Sequence, residues 1–408
     1  MEEKSPVLAV AVASFDLLNG IKVIHKWIPN SNELGLSLDD LFRMTLSNVH
    51  RQKEEVFSNI VTSTMDIQSF GLFMISSLFS ITKRPHSVYY SVSIILHSTD
   101  RVRNTSEIYN EKSRYLALAA KSIVSANEPI KKLSPLVDQL FTDSTIINNS
   151  SIKNIPDIYM HPSESNFLCL VLSSHLQTQM NSIIEAPNED MAREIFNFLV
   201  SFTLPFQRSL SSGSINSKPV PGLALQVIEK QSYPPEELGL LFRSPFSLIR
   251  LPEKTILQTP ASNDQENAYN EYAQVICFDS SIKKKRLAQI RTQYKLTPVQ
   301  LPTPWSLATV SVINQIPTGL QNYICEQQLN SLVRFALALI SMVEEKLNSS
   351  DSTFLSTDQQ NELIKTLRLT GKDDFALVVS VAQLFDKTMQ NKVFFRKKEV
   401  FAKIASAY

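Results

Sequence analysis

Glycine is scarce in this sequence: the 408 residues include only eight, and no two of them stand in a GxGxxG or GxxxxGK[ST] frame. A loop that cradles phosphate depends on glycine, because the backbone must approach the phosphate closely. The sequence therefore argues against a protein that carries a conventional nucleotide site of its own.

Cysteine is rarer still. The three cysteines, Cys169, Cys277 and Cys325, lie far apart and form no CxxC pair. This spacing excludes a sequence-local zinc or thioredoxin-type site, and the odd number argues against a disulfide framework. No close histidine pair supplies metal ligands either, so we expect no metal and no cofactor. The expected compartment is the reducing cytoplasm.

The chain also lacks a charge of one sign and a long apolar run. It has 40 basic and 39 acidic residues, which gives a net charge of +1 and a pI of about 7.7. No strong field is present to gather nucleic acid, so we expect no nucleic-acid partner. No stretch approaches the roughly 20 apolar residues that cross a bilayer. With 43% hydrophobic residues, a chain of this length predicts two or three folded domains.

The first structured segment is predicted within residues 1–29, MEEKSPVLAVAVASFDLLNGIKVIHKWIP. Its apolar run looks like the core of an export signal, but Glu2 and Glu3 precede it where such a signal has basic residues. Asn19-Gly20 is a strong signal for a tight turn, and the residues after it alternate as in a strand. We therefore predict a β-hairpin over Val7–Ile28 and no export signal.

The residues that follow predict a small antiparallel sheet flanked by helices. Apolar spacing indicates a helix over Leu36–Lys53 and strands over Gly71–Phe79 and Val88–Leu96. Further helices fit Ser106–Ala126 and Glu128–Phe141. We place a first domain at residues 1–140.

Composition divides the rest of the chain. A stretch rich in serine, asparagine and proline predicts a linker at residues 141–166. Residues 167–320 predict a second α/β portion, and residues 321–408 a helical portion. The predicted fold class is therefore α/β, of the α+β kind.

Smaller elements follow from local patterns. In Cys325–Leu347, apolar residues recur at helical spacing, and Asp373 or Asp374 is expected to cap the next helix. Serine- and proline-rich loops are predicted at 211–221, 258–271 and 296–304, with strands near Ile183–Ile184, Leu223–Ile228 and Phe246–Leu251.

His175, in LSSHLQTQ, is the histidine that most invites a catalytic interpretation. Ser173 and Ser174 adjoin it, but neighbours one and two positions away do not face it on a helix. No GxSxG elbow exposes a nucleophile. We therefore favour a half-buried or polar-face histidine over a hydrolase site.

The strongest charge run is Lys283-Lys284-Lys285-Arg286, ahead of an apolar stripe at Leu287, Ile290 and Tyr294. A solvated helix start is the usual interpretation of such a run. Binding to an anionic membrane surface is the main alternative, and a nuclear signal a weaker one.

Arg84 lies in the connection between two predicted strands, beside Lys83 and Pro85. An exposed loop arginine commonly has no special role. An arginine on such a loop also has the reach to enter another protein's phosphate site and stabilise transition-state charge, as arginine fingers do for GTPases. Arg84 is the only catalytic candidate in this sequence.

Four segments together resemble the longin–DENN family. They are SPVLAVAVASFDLLNGIKVIHKWIP, YYSVSIIL, FLCLVLSSHLQTQ and DDFALVVSVAQLFDKTM, and the strings SSHLQT and SIIL are the most specific. The likeness covers most of the chain and is loose over about residues 210–320. It implies a longin domain at 1–140, a DENN α/β portion at 167–320 and a DENN helical portion at 321–408.

The resemblance also implies a function. Such a protein would regulate Rab or Arf small GTPases in autophagy and endolysosomal traffic, as a guanine nucleotide exchange factor or as a subunit of a GTPase-activating complex. Its partners would be a second longin–DENN protein and a WD40 propeller, which would bring it from the cytoplasm to endosomal, lysosomal or autophagosomal membranes. In folliculin, a related activator, the finger arginine precedes a strand tyrosine by six residues, as Arg84 precedes Tyr90.

Two functions therefore stay open from the sequence. One is regulation of small GTPases, with or without Arg84 as a finger. The other is a structural adaptor that uses an edge of its longin sheet to pair with another longin domain.

Overall fold

A computed structural model describes most of the chain. The described residues are 5–16, 20–29, 37, 41, 60–67, 70–83, 86–142, 165–230, 234–277, 281–349 and 352–394. We call the described residues up to 142 the N-terminal part and those from 165 onward the C-terminal part.

The N-terminal part contains one antiparallel sheet of five strands. Their spatial order is β2-β1-β5-β4-β3. The predicted first hairpin and the two later strands are confirmed. The strands are β1 (Val7–Asp16), β2 (Gly20–Trp27), β3 (Val61–Ile67), β4 (Leu72–Lys83) and β5 (His86–His97).

Strand β1 is apolar throughout because both of its faces are buried. Val10 and Val12 pack in the core cluster beneath the helices, while Ala9, Ala11 and Ala13 pack in a second cluster on the opposite face. A strand covered on both sides has a continuous hydrophobic sequence instead of an alternating one. This explains the apolar run that resembles an export signal.

Helices cover one face of this sheet: α1 (Asp100–Asn104), α2 (Ser106–Ser125) and α3 (Ser134–Thr142). The predicted helix Ser106–Ala126 is confirmed as α2. The predicted helix Glu128–Phe141 is instead a 3₁₀ turn at Ile130–Leu133 followed by α3. Pro135 explains the break, because proline has no backbone N–H to donate and is tolerated only in the first turn of a helix.

Two predicted elements fall largely outside the described residues. Of the predicted helix Leu36–Lys53, only Ser37 and Leu41 are described, and Leu41 is buried against the sheet. Of the predicted linker 141–166, the structure describes the two residues at each end. The domain boundaries stay predictions.

The C-terminal part contains a six-stranded mixed sheet in the order β11-β10-β9-β6-β8-β7. The strands β7, β8, β6 and β9 run parallel, and β10 and β11 are antiparallel to their neighbours. The strands are β6 (Ser182–Ala186), β7 (Ser211–Asn216), β8 (Leu225–Glu229), β9 (Ser247–Arg250), β10 (Thr255–Gln258) and β11 (Thr297–Pro298).

Helices pack on this sheet and form a bundle towards the C-terminus. They are α4 (Ser165–Gln177), α5 (Glu189–Ser201), α6 (Pro205–Arg208), α7 (Pro235–Gly239), α8 (Ser262–Val275), α9 (Ser281–Gln293), α10 (Pro304–Gln315), α11 (Thr318–Asn348), α12 (Thr357–Thr366), α13 (Lys372–Ala382) and α14 (Met389–Val393). The predicted mixed α/β class, with a helical C-terminal end, is confirmed.

Three local predictions are wrong. The predicted loop 211–221 contains β7, and the predicted loop 258–271 contains most of α8. The residue that caps α13 is Gly371, not an aspartate. Asp374 lies inside the first turn, where its buried Oδ1 accepts a 2.9 Å hydrogen bond from the backbone N–H of Trp305 and so fixes α10 against α13.

Candidate functional site

The candidate finger Arg84 belongs to the connection between β4 and β5. The last paired residues of the two strands are Lys83 and His86, so Arg84 and Pro85 connect the strands in the sequence. Both joining residues lie outside the described residues. Tyr90, six residues along, is buried, and its ring stacks on Phe79 with the centroids 5.4 Å apart.

His175 is completely buried in α4, and both of its ring nitrogens have partners. Nδ1 lies 2.8 Å from Ser182 Oγ, and Nε2 lies 3.2 Å from Thr203 Oγ1. The Thr203 hydroxyl donates to the carbonyl of Leu199 at 2.7 Å, so its oxygen is left to accept from Nε2–H. We therefore assign the Nε2–H tautomer, with Nδ1 accepting from the Ser182 hydroxyl.

The pair of His175 and Ser182 resembles a catalytic dyad in distance only. Burial lowers the pKa of His175 from 6.5 to about 3, opposed by a smaller contribution from the backbone of Phe202. Such an imidazole is too weak a base to take a serine proton near neutral pH. Because Ser182 is also buried, the structure favours a structural role for His175 over a hydrolase site, although the histidine is fully buried and not half-buried or on a polar face as predicted.

A cluster of four charged residues joins the N-terminal and C-terminal parts. Arg243 donates from Nη1 to Glu111 at 3.2 Å and from Nε to Glu266 at 2.9 Å. Arg114 Nη2 lies 3.3 Å from the same Glu266 oxygen. Burial raises the pKa of Glu111, although the nearby Arg243 acts in the opposite direction. We call these four residues the seam cluster.

Apolar contacts continue this junction. The rings of Tyr115 in α2 and Tyr269 in α8 lie 5.6 Å apart, and Tyr269 belongs to the core cluster of the N-terminal part. Gly222 adopts a φ of +94°, and a Cβ there would lie 2.8 Å from the Cα of Ile108. Only glycine fits both this conformation and this close approach. Helix α2 is thus packed against its own sheet and against the C-terminal part.

A cleft of about 500 Å³ opens beside the seam cluster. Its lining includes Ser182 at the start of β6, Ala224 just before β8 and Phe246 just before β9. In open α/β sheets, ligands bind at the carboxyl ends of the strands. This cleft lies at the amino ends, which favours a junction between packed parts over a substrate pocket.

The carboxyl ends of these strands are occupied by ion pairs. Glu185 in β6 pairs with Arg250 in β9 at 3.4 Å, and Lys230 after β8 pairs with Glu253 at 2.7 Å. Each of these four side chains thus lies beside an opposite charge. Within the described residues, no three histidine, cysteine or acidic side chains come together as metal ligands, and no helix there is long and apolar enough to cross a membrane.

The two edges of the N-terminal sheet differ in their side chains. In the described part of the chain, β2 pairs only with β1, and β3 pairs only with β4. Strand β2 exposes Lys22 and Lys26, and lysines on an edge discourage pairing with another strand. Strand β3 exposes Ser63, Thr64 and Asp66, so it has no lysine to prevent pairing.

Sequence reasoning could not find the seam cluster. Arg243 and Glu111 are 132 residues apart, and neither stands in a recognisable motif. The weak signal in the sequence is the pair Tyr269 and Tyr272, three residues apart, of which the first lies in the predicted loop 258–271. Their burial, not their spacing alone, reveals the face that α8 presents to α2.

The fold defines a mixed α/β protein with an antiparallel N-terminal sheet, a second mixed sheet and a helical end. The chain belongs to the C9orf72-like protein family, whose family model matches residues 40–265. The resemblance to longin–DENN proteins is consistent with this family.

Named relatives align almost end to end. The human protein called guanine nucleotide exchange factor C9orf72 is 23% identical to this chain over an alignment of 456 residues. The alignment covers 96% of this chain and 92% of the human protein. The rat protein, called a homolog of that factor, is 22% identical over 462 residues with the same coverage. The mouse homolog is 22% identical over 456 residues.

Proposed function

We propose that this chain regulates Rab- or Arf-type small GTPases, as a guanine nucleotide exchange factor or as a subunit of a GTPase-activating complex. The observation that carries the proposal is the alignment of 96% of the chain with proteins named guanine nucleotide exchange factors. The scarcity of glycine and the buried, neutral His175 support it. A protein that acts on another protein's nucleotide site needs surfaces and no phosphate cradle.

The proposed setting is autophagy and endolysosomal membrane traffic. The chain would be cytoplasmic, would assemble with a second longin–DENN protein and a WD40 propeller, and would be recruited to endosomal, lysosomal or autophagosomal membranes. The support for these partners and locations is the family resemblance. Co-purification from native cytosol would test them, and the absence of any second DENN protein would contradict the assembly.

The activity is tested with purified small GTPases loaded with fluorescent GDP. The full-length chain, alone and with the two proposed partners, should accelerate GDP release or GTP hydrolysis for at least one Rab or Arf protein. Release and hydrolysis are measured separately, so the assay distinguishes an exchange factor from an activator. No acceleration of either reaction across the panel would contradict the proposal.

Arg84 is tested in the same reconstituted complex. If it is a finger, Arg84→Ala and Arg84→Lys should each lower stimulated hydrolysis on the order of 10³-fold. Lys83→Ala, which removes the neighbouring positive charge, is the matched control and should have little effect. Unchanged hydrolysis with both Arg84 variants would remove the finger hypothesis and leave the exchange hypothesis intact.

A second candidate function is a non-catalytic adaptor, and the edge of β3 favours it. An exposed strand edge without lysine is suited to adding a strand from a partner. Ser63→Lys with Thr64→Lys should abolish partner binding, while Ile24→Lys on the exposed side of β2 should not. A chain that binds its partner through β3 but changes neither exchange nor hydrolysis would establish the adaptor.

A further inference from the structure

A basic segment, residues 281–295, stands out from an otherwise balanced chain. It contains six basic residues and no acidic one, whereas acidic residues outnumber basic ones by five in the rest of the chain. It comprises α9 and the two residues after it. The six basic residues are Lys283, Lys284, Lys285, Arg286, Arg291 and Lys295.

The apolar side of this segment holds it on the C-terminal part. Ile290 and Tyr294 are buried, Leu287 is partly buried, and all three join a cluster with Leu240 and Tyr272. The predicted apolar stripe is therefore confirmed. Because consecutive residues of an α-helix are about 100° apart, Lys284, Lys285 and Arg286 point away from this apolar side in different directions.

The solvent side is densely basic. Lys284, Lys285, Arg286 and Lys295 are all exposed. Arg291 is exposed as well, and it forms an ion pair with Glu237 at 3.2 Å. The exposed charges are thus mostly lysines, in a chain whose other residues carry the opposite net charge.

We propose that this basic segment binds an anionic membrane surface by direct electrostatic contact with lipid headgroups. The segment would recognise clustered negative charge. Each basic residue near an anionic surface strengthens the attraction between the chain and that surface. The opposite net charge elsewhere would orient the chain with α9 towards the lipid. This contact belongs to the chain itself and goes beyond the proposed regulation of small GTPases and its recruitment by partners.

Two other anionic partners fit the segment less well. Protein interfaces depend on buried aromatic and arginine anchors, and single-stranded nucleic acid depends on aromatic stacking. Among the side chains described in the segment, the only aromatic one, Tyr294, is buried and donates to Gln265 Oε1 at 2.6 Å. A surface whose exposed charges are mostly lysines, with no exposed aromatic residue among the described side chains, suits headgroups.

The test measures binding of the full-length chain to vesicles, with its partners present if it requires them. It should bind phosphatidylcholine vesicles that contain about 30% phosphatidylserine and not vesicles of phosphatidylcholine alone. Lys284→Gln, Lys285→Gln and Arg286→Gln combined should weaken binding on the order of 100-fold, because about a fivefold loss is expected for each charge. Circular dichroism confirms that the variant is folded.

A matched variant controls for net charge. Arg334→Gln, Lys365→Gln and Lys372→Gln together remove three exposed charges from other helices and should leave vesicle binding nearly unchanged. Lys284→Arg with Lys285→Arg keeps the charge and should retain binding. Raising the salt from about 0.1 M to about 1 M should release the wild-type chain, since the Debye length falls from about 10 Å to about 3 Å.

Several results would overturn the proposal. Equal binding to neutral vesicles, or an equal loss in the control variant, would show that α9 is not the contact. Binding to polyuridylic acid or polyglutamate, but not to vesicles, would assign the segment to another partner. Since no GTPase is present in these measurements, their failure would leave the proposed regulation untouched.

Discussion

Lowering the pH from 7 to 5 should destabilise the C-terminal part through His175. In the unfolded chain this histidine has an ordinary pKa near 6.5, whereas burial lowers its pKa in the folded chain to about 3. Between these two values the unfolded state binds more protons, so stability falls as the pH falls. The stabilisation is fully present above pH 6.5 and is lost progressively towards pH 3.

The magnitude follows from the two pKa values. Between pH 7 and pH 5, protonation of the unfolded histidine shifts the free energy of unfolding by about 2 kcal/mol. His175→Gln removes the titration and keeps a polar side chain near Ser182 and Thr203. Between pH 7 and pH 5, the free energy of unfolding of the variant should therefore fall by about 2 kcal/mol less than that of the wild-type chain.

The assay is urea unfolding monitored by tryptophan fluorescence. Trp305 reports on the C-terminal part, since its ring lies 6.4 Å from the ring of Phe202, the residue before Thr203. Trp27→Phe removes the other tryptophan. His97→Gln, at an exposed position in the N-terminal part, is the control for replacing a histidine. The reasoning is refuted if His175→Gln retains the full pH dependence of the wild-type chain.

The junction between the two parts supplies two further predictions. Gly222→Ala should lower the free energy of unfolding by about 1–3 kcal/mol, because this position has a positive φ and lies close to Ile108. The midpoint of thermal unfolding should fall accordingly. Gly319→Ala, which meets open space, is its control, and an equal effect of both changes would contradict the argument. Arg243→Ala should cost about 2–3 kcal/mol in urea unfolding, because it leaves the Glu111 carboxylate buried without its main partner. Adding Glu111→Gln should recover part of that loss, and no recovery would show that the carboxylate is not the cause.

The elements that the sequence predicts well are those whose pattern is local. Strand β1 and its turn at Gly20 are predictable because apolar residues and a residue of positive φ (here +70°) stand next to each other in the chain. Helix α2 is predictable from its apolar spacing, and α11 likewise, with Leu329, Leu332 and Ala336 buried as expected.

The elements that the sequence misses are stabilised by distant partners. Strand β7 consists mainly of small polar residues, and its pairing with β8 and the contact of Gly213 with Phe196 make it a strand. Helix α8 is polar except for a narrow face around Tyr269 and Tyr272, which is buried only after α2 and α9 pack against it. The composition of β7 and of α8, taken alone, is typical of a loop.

Candidate sites follow the same division. The sequence identifies the basic segment because its charges are consecutive. It cannot identify the contact between His175 and Ser182 or the seam cluster, since these depend on how separate elements are placed. Arg84 is a candidate from the sequence that stays a prediction.

The double packing of α2 has a consequence for dividing the chain. A fragment that ends after α3 would expose Ile108 and Tyr115 to water and would lose the two partners that Arg114 and Glu111 have in the C-terminal part. The complementary fragment would expose Tyr269 and would lack helix α2, which packs against α8 in the full chain. Separated halves should therefore aggregate or recombine with each other, so a cut within the predicted linker 141–166 should destabilise both halves.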